Sequence, residues 1–179
     1  PASGARLRCR AMTATAAAGT LTLDKKTYTL KRALAYETTI DDEDAIAVVL
    51  SGQPVTSEML KEARNAEKEG GDPSFKRPFL RLVFKKTGEL KNWSAAAGGT
   101  TLGRRSGEAT GELKAQDGRA KGKASQPMET EGMFPSGFDA SFDVALLKAG
   151  QSIPASTARK GGPAANVKPT VSGVFRGNG

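Results

Sequence analysis

The sequence predicts a mainly β protein, an antiparallel β-sandwich or partly open β-barrel carrying one short surface helix. Three observations predict it. Short segments alternate apolar and polar residues, turn pairs such as Asp117-Gly118 separate them, and only one stretch, about 57–69, has helical spacing. About seven short strands are expected between residues 19 and 150.

Leu21 and Leu23 alternate with threonines, and Tyr28, Leu30, Leu34 and Tyr36 line one face of a second strand. With Lys25-Lys26 as a two-residue loop, Leu23 opposes Tyr28 and Leu21 opposes Leu30, all on one side. Lys-Lys lacks the residues that favour positive φ, so a longer loop is the alternative. Asp41 to Asp44 form an acidic loop before the apolar strand Ala45 to Leu50, which Ser51-Gly52-Gln53-Pro54 ends.

Ser57 is the expected N-cap of the helix, and Glu58 suits its positive end. Met59, Leu60, Ala63 and Ala66 make a narrow apolar stripe, and Gly70-Gly71-Asp72-Pro73 stops it. Phe79 to Lys86 and Leu90 to Ala96 pair as a hairpin about Thr87-Gly88. Residues 98–105, glycine-rich and basic, are expected to be a flexible loop.

Asp117-Gly118 favours a type I′ turn. Pairing outward matches Ala115 with Ala120, Leu113 with Gly122 and Gly111 with Ala124, while Glu112 meets Lys123 on the other face. Glycine and alanine bury little area, so this face should admit another backbone or a large aromatic. Phe138, Ala140, Phe142, Val144 and Leu146 then form a half-buried strand.

The chain divides into a basic tail (1–18), a β domain (19–150), a Pro/Gly/Ala-rich linker (151–170) and a segment (171–179) that reads as the start of a second module or an extended tail. A chain beginning at Pro1 is expected to be a processed product or a fragment. Net charge is +8, and it sits at the ends. Residues 1–19 carry Arg6, Arg8 and Arg10, and residues 148–179 carry Lys148, Arg159, Lys160, Lys168 and Arg176, with no acid in either segment. The nineteen acidic residues between them meet an equal number of cations, so the core is neutral.

The string GTLTLDKKTYTLKRALA over 19–35, VVLS over 48–51 and FDASF over 138–142 resemble a group of bacterial, exported, β-rich modules of unknown function. The resemblance covers residues 19–147. The ending VSGVFRGNG over 171–179 is similar to the strand that opens a second module in that group, which implies a truncated multi-module protein with a periplasmic or secreted location. The sequence departs from the pattern at Lys25, where Gly is expected, and at Arg32, where His is expected. The resemblance implies no activity.

The chain contains no histidine, which removes the usual general base, most zinc-site designs and the histidine-dependent triads. Cys9 cannot form an internal disulfide, and Arg8 and Arg10 beside it supply charge but no orienting base. Gly98 to Arg105 lacks the Lys and Ser/Thr of a phosphate loop. Asp41 to Asp44 lacks the alternate spacing of an EF-hand, so a solvated loop is expected, with a divalent cation as the alternative. Asp139 and Asp143 share a strand face roughly 13 Å apart, wider than glycosidase pairs stand, and a partner for each on a neighbouring strand is left open. Asn92-Trp93-Ser94 is a formal glycosylation sequon, and Trp93 itself is expected to pack in a core or interface rather than to serve as a ligand platform.

No catalytic residue, metal ligand or cofactor is therefore assigned. No apolar run approaches the roughly 18 residues of a membrane span. The sequence points to a non-enzymatic binding or structural module that packs against a protein partner or a sister module. The alternative is a nucleic-acid or polyanion binder using the 79–93 hairpin and the basic tails. Its candidate contacts are Lys76, Arg77, Arg81, Lys85, Lys86, Lys91, Trp93, Arg104 and Arg105.

Overall fold

The computed structural model describes residues 16–154; Cys9, the basic segments at either end and the strand expected at 171–179 lie outside them. The first strand, β1 (Ala16–Leu23), already includes three residues expected to belong to the tail, and pairs antiparallel with β2 (Lys26–Leu30). The turn between them is Asp24-Lys25, with both residues at positive φ, rather than Lys25-Lys26. Aspartate tolerates that region, so the tight turn forms one residue earlier. Leu21 consequently opposes Tyr28 and Gly19 opposes Leu30. The pairing slips by two residues, which leaves every side chain on its expected face.

At Lys31 the chain leaves the first strand pair and enters β3 (Arg32–Ile40). The expected single strand is thus two, and the phase reverses. Leu30 and Ala35 enter one core, whereas Leu34 and Tyr36 turn to the opposite face. A second aspartate turn, Asp41-Asp42, also at positive φ, leads into β4 (Glu43–Ser51). Ala45 to Leu50 are buried throughout, as a strand covered on both faces must be.

The helix α1 (Ser57–Lys68) is capped by the Thr56 hydroxyl, which accepts from the Met59 N–H at 3.3 Å; Ser57 is instead its first residue. Gly70, at positive φ, donates its N–H to the Glu67 carbonyl and ends the helix. β5 (Phe79–Lys85) and β6 (Leu90–Ala97) form the expected hairpin. The segment expected as a basic loop is instead a Gly98-Gly99 turn into β7 (Thr100–Arg105), an edge strand whose Leu102 is buried. β8 (Thr110–Gln116) and β9 (Arg119–Glu129) pair in the register read from the sequence, and β10 (Ser136–Leu147) follows.

The ten strands make one open sheet in the order β2-β1-β10-β3-β4-β5-β6-β7, with β9 and then β8 extending from β10. The strand β10 joins two halves. Its first ten residues pair antiparallel with β1 and β9, and only Leu146 and Leu147 pair, in parallel, with β3. The first half (β2, β1, β10, β9, β8) faces the second (β3 to β7) across a core containing Leu21, Leu30, Val48, Leu82, Phe84, Trp93, Phe138 and Phe142. Trp93 meets Phe138 edge-on at 5.1 Å between ring centroids, and Phe84 meets Phe142 at 5.9 Å.

The small face of the β8–β9 hairpin is where those aromatics fit. A Cβ on Gly111 would stand 3.2 Å from the Phe84 ring, and one on Gly122 would stand 2.8 Å from that of Phe142. A third layer covers the far side of the second half. There Leu60 and Ala63 of α1 pack with Tyr36, Ala47, Val49, Phe75, Phe79 and Leu147. Ile153 joins the edge of this cluster, so the expected linker begins as packed chain. Among the described residues, no helix is long and apolar enough to cross a membrane.

Candidate functional site

The nine residues expected to contact an anion do not form one basic surface. Trp93 is 1% exposed and Arg81 0%, so neither reaches a ligand on the surface. Strand parity corrects both as anion contacts, whereas Trp93 read as core packing rather than as a ligand platform agrees with its position. Trp93 points into the core between the halves, and Arg81 points the other way, beneath α1. The sequence showed a basic cluster along a hairpin, but alternate residues of a strand covered on both sides are all interior.

The remaining cations are mostly neutralised by acids that the fold brings from elsewhere. Lys86 pairs with Asp44 at 2.7 Å, Lys85 with Glu89 at 3.2 Å and Arg105 with Glu129 at 3.8 Å. Lys91 meets Glu43 at 2.9 Å and Asp41 at 3.4 Å, and Arg104 bridges Asp41 and Asp72. Hydrogen bonding to Glu43 raises the Lys91 pKa, and bonding to Asp44 raises that of Lys86. The acidic turn of residues 41–44 is therefore a counter-charge for the basic hairpin. Arg77 donates to the Gly98 carbonyl and the Thr101 hydroxyl, and Lys76 is exposed. Among the described residues, no group of three or more metal-ligating side chains converges. Asn92 of the sequon is 8% exposed with its Oδ1 buried.

Beneath α1 lies a buried polar network absent from the sequence reading. Glu67 accepts from the Tyr36 hydroxyl at 2.8 Å, from the Thr38 hydroxyl and from Arg81. Burial pushes the Tyr36 phenol well above its ordinary pKa of 10, and the Glu67 carboxylate adds to the rise. Arg64 lies 5.6 Å above the Tyr36 ring and donates to the carbonyls of Lys148 and Gln151, which ties the chain after β10 to the helix. The signal for Glu67 was present: it follows Leu60 and Ala63 at i+7 and i+4 on the buried stripe of the helix. Tyr36, Glu67 and Arg81 of this network are buried, Thr38 is half-buried at the edge of a cavity of about 590 Å³, and the network ties α1 to the sheet.

The outer face of the first half is built differently. In register across β8, β9 and β10 stand Lys114, Lys121 and Asp143, then Glu112, Lys123 and Ser141, then Thr110, Ser125 and Asp139. Ser141 and Asp139 continue onto Ala18 and Thr20 of β1, and Thr20 onto Thr29 of β2. No described element covers this face. Its middle holds a shallow depression of about 710 Å³ lined by Ala18, Glu112, Lys114, Lys121, Ser141 and Asp143. Arg119 pairs with Asp143 at 2.7 Å and Lys123 with Glu112 at 3.4 Å, whereas Lys114 and Lys121 have no carboxylate within 4 Å among the described residues. The alternation of β8, β9 and β10 made this face legible, but the sequence reading used only its Glu112–Lys123 pair and the shared face of Asp139 and Asp143. Comparison with protein-family models, with curated proteins and with solved structures returns no match to this chain.

Proposed function

We propose that the chain is a non-enzymatic binding or structural module that packs the outer face of its first half against a protein partner or a sister module. The observation that carries this reading is the unequal covering of the two outer faces. The second half is sealed by α1 over a bonded polar network, while the first half presents a broad face of short side chains beside lysines. Partner surfaces fit such a face because small residues allow close approach and charged residues at the rim set orientation. A binding role also suits a chain without histidine, whose clustered acids and bases largely bond one another.

The nucleic-acid alternative has less support. Of its contacts, Arg81 and Trp93 are interior and Lys85, Lys86, Lys91, Arg104 and Arg105 each have an acid within 4 Å. The test of the leading reading is affinity capture with the immobilised full chain and with a Ser141→Arg chain, which raises a bulky cation in the middle of the face. A partner held by the native chain and lost by Ser141→Arg supports the reading. Equal capture by both chains overturns it.

A further inference from the structure

Resting on the reading of this face as a binding surface, we infer that its partner is a second copy of the same chain, packed face to face about a two-fold axis parallel to the strands between β9 and β10. Two facing sheets related by such an axis meet as mirror positions in projection: β9 of one chain lies over β10 of the other, and β8 over β1. Lys121 then stands over Asp143 of the second copy, because the two are register partners on adjacent strands. The pair forms twice, once on each side of the axis.

Side-chain length is complementary in the same sense. The half of the face on β8 and β9 is tall, with Glu112, Lys114, Lys121 and Lys123. The half on β10 and β1 is lower, with Asp139, Ser141, Asp143, Ala18, Thr20 and Thr22, and β2 lies beyond the overlap. The axis lays tall on low, placing Lys123 over Ser141 and Glu112 over Ala18. Lys114 and Lys121 also stand directly opposite each other, an arrangement that destabilises a strand pair, and the Asp143 beside Lys121 in the same chain is bonded to Arg119. The second copy adds its own Asp143 over Lys121.

Four overlapping strands, β8, β9, β10 and β1, about 4.8 Å apart, and four rows of side chains give a face of about 400 Å² per chain. Two such faces bury about 800 Å², below the range of standard stable interfaces, which makes the dimer weak and rapidly reversible. Aligned sheets with short side chains between them also pack closely.

Sedimentation equilibrium of the full chain between about 5 and about 200 µM tests the inference over the concentrations at which a weak, micromolar dimer forms and dissociates. The native chain should show a monomer–dimer equilibrium that weakens with added salt. Ser141→Arg should remove the dimer, and Lys121→Asp should raise the dissociation constant at least about tenfold by setting a second carboxylate over Asp143. The combined Lys121→Asp and Asp143→Lys exchange should restore it. These positions are exposed or half-exposed, and circular dichroism checks that each variant is folded. A native chain monomeric throughout, or a dimer unaffected by Ser141→Arg, overturns the second copy as the occupant. The affinity-capture result separates that failure from failure of the wider reading, since a different protein lost with Ser141→Arg would leave the face a binding surface.

Discussion

The two outer faces carry the same kinds of side chain in opposite circumstances. On the second half, Glu67 and Arg81 form an ion pair with side chains 1% and 0% exposed, covered by α1 and joined by Tyr36 and Thr38. On the first half, Glu112 and Lys123 form an ion pair at 3.4 Å with side chains 70% and 72% exposed. The comparison teaches that coverage, rather than residue type, decides whether a charge is structural. A buried charge without its partner retains its desolvation cost, whereas an exposed one is rehydrated.

The largest expected effect comes from breaking the covered pair. Glu67→Leu should destabilise the fold by about 3–5 kcal/mol, because it leaves the Arg81 guanidinium buried and unpaired. Urea unfolding measures this. Adding Arg81→Met should recover most of the loss, and a double variant as unstable as the single one would show that the network supplies more than mutual charge compensation.

Tyr36→Phe removes a buried hydrogen bond to a carboxylate and should cost about 1.5–3 kcal/mol at neutral pH. It also sharpens the comparison by pH. The folded phenol keeps its proton above the ordinary pKa of 10, whereas the unfolded one releases it there. The stability linked to this group is therefore full below about pH 10 and declines as pH rises above it. Urea midpoints taken from about pH 8 to about pH 11 should fall in the native chain and fall less in Tyr36→Phe.

A Cβ on Gly122 would stand 2.3 Å from the Glu112 carbonyl and 2.8 Å from the Phe142 ring. Gly122→Ala should therefore cost about 1–3 kcal/mol by overpacking, even though it sits on the sheet whose other face is uncovered. At the small end, Glu112→Gln should change stability by less than about 1 kcal/mol. A larger loss there would erase the distinction between the two faces.

Much of the fold was legible in local chemistry. The Asp117-Gly118 turn and the alternation on either side determined the β8–β9 register residue by residue, because the side-chain period of a strand is two and the turn sets the count. The same alternation identified the buried residues of β10, and the small inner face of the hairpin announced the close approach of Phe84 and Phe142. The sequence by itself also determined that the excess charge lies at the ends.

Only the tertiary structure decided which side of each element would be covered. Nothing local marks Lys31 as the point where the chain crosses to the other half and reverses phase, since the residues on both sides are good β formers. Nothing local distinguishes Arg81, interior beneath the helix, from Lys85 on the same strand in water. Lys85 pairs with Glu89 four positions away, but Lys86 with Asp44 and Arg104 with Asp41 join residues 42 and 63 positions apart. Local pattern sets a strand's two faces, but the burial and charge balance of each face depend on the layers that long-range packing lays against it.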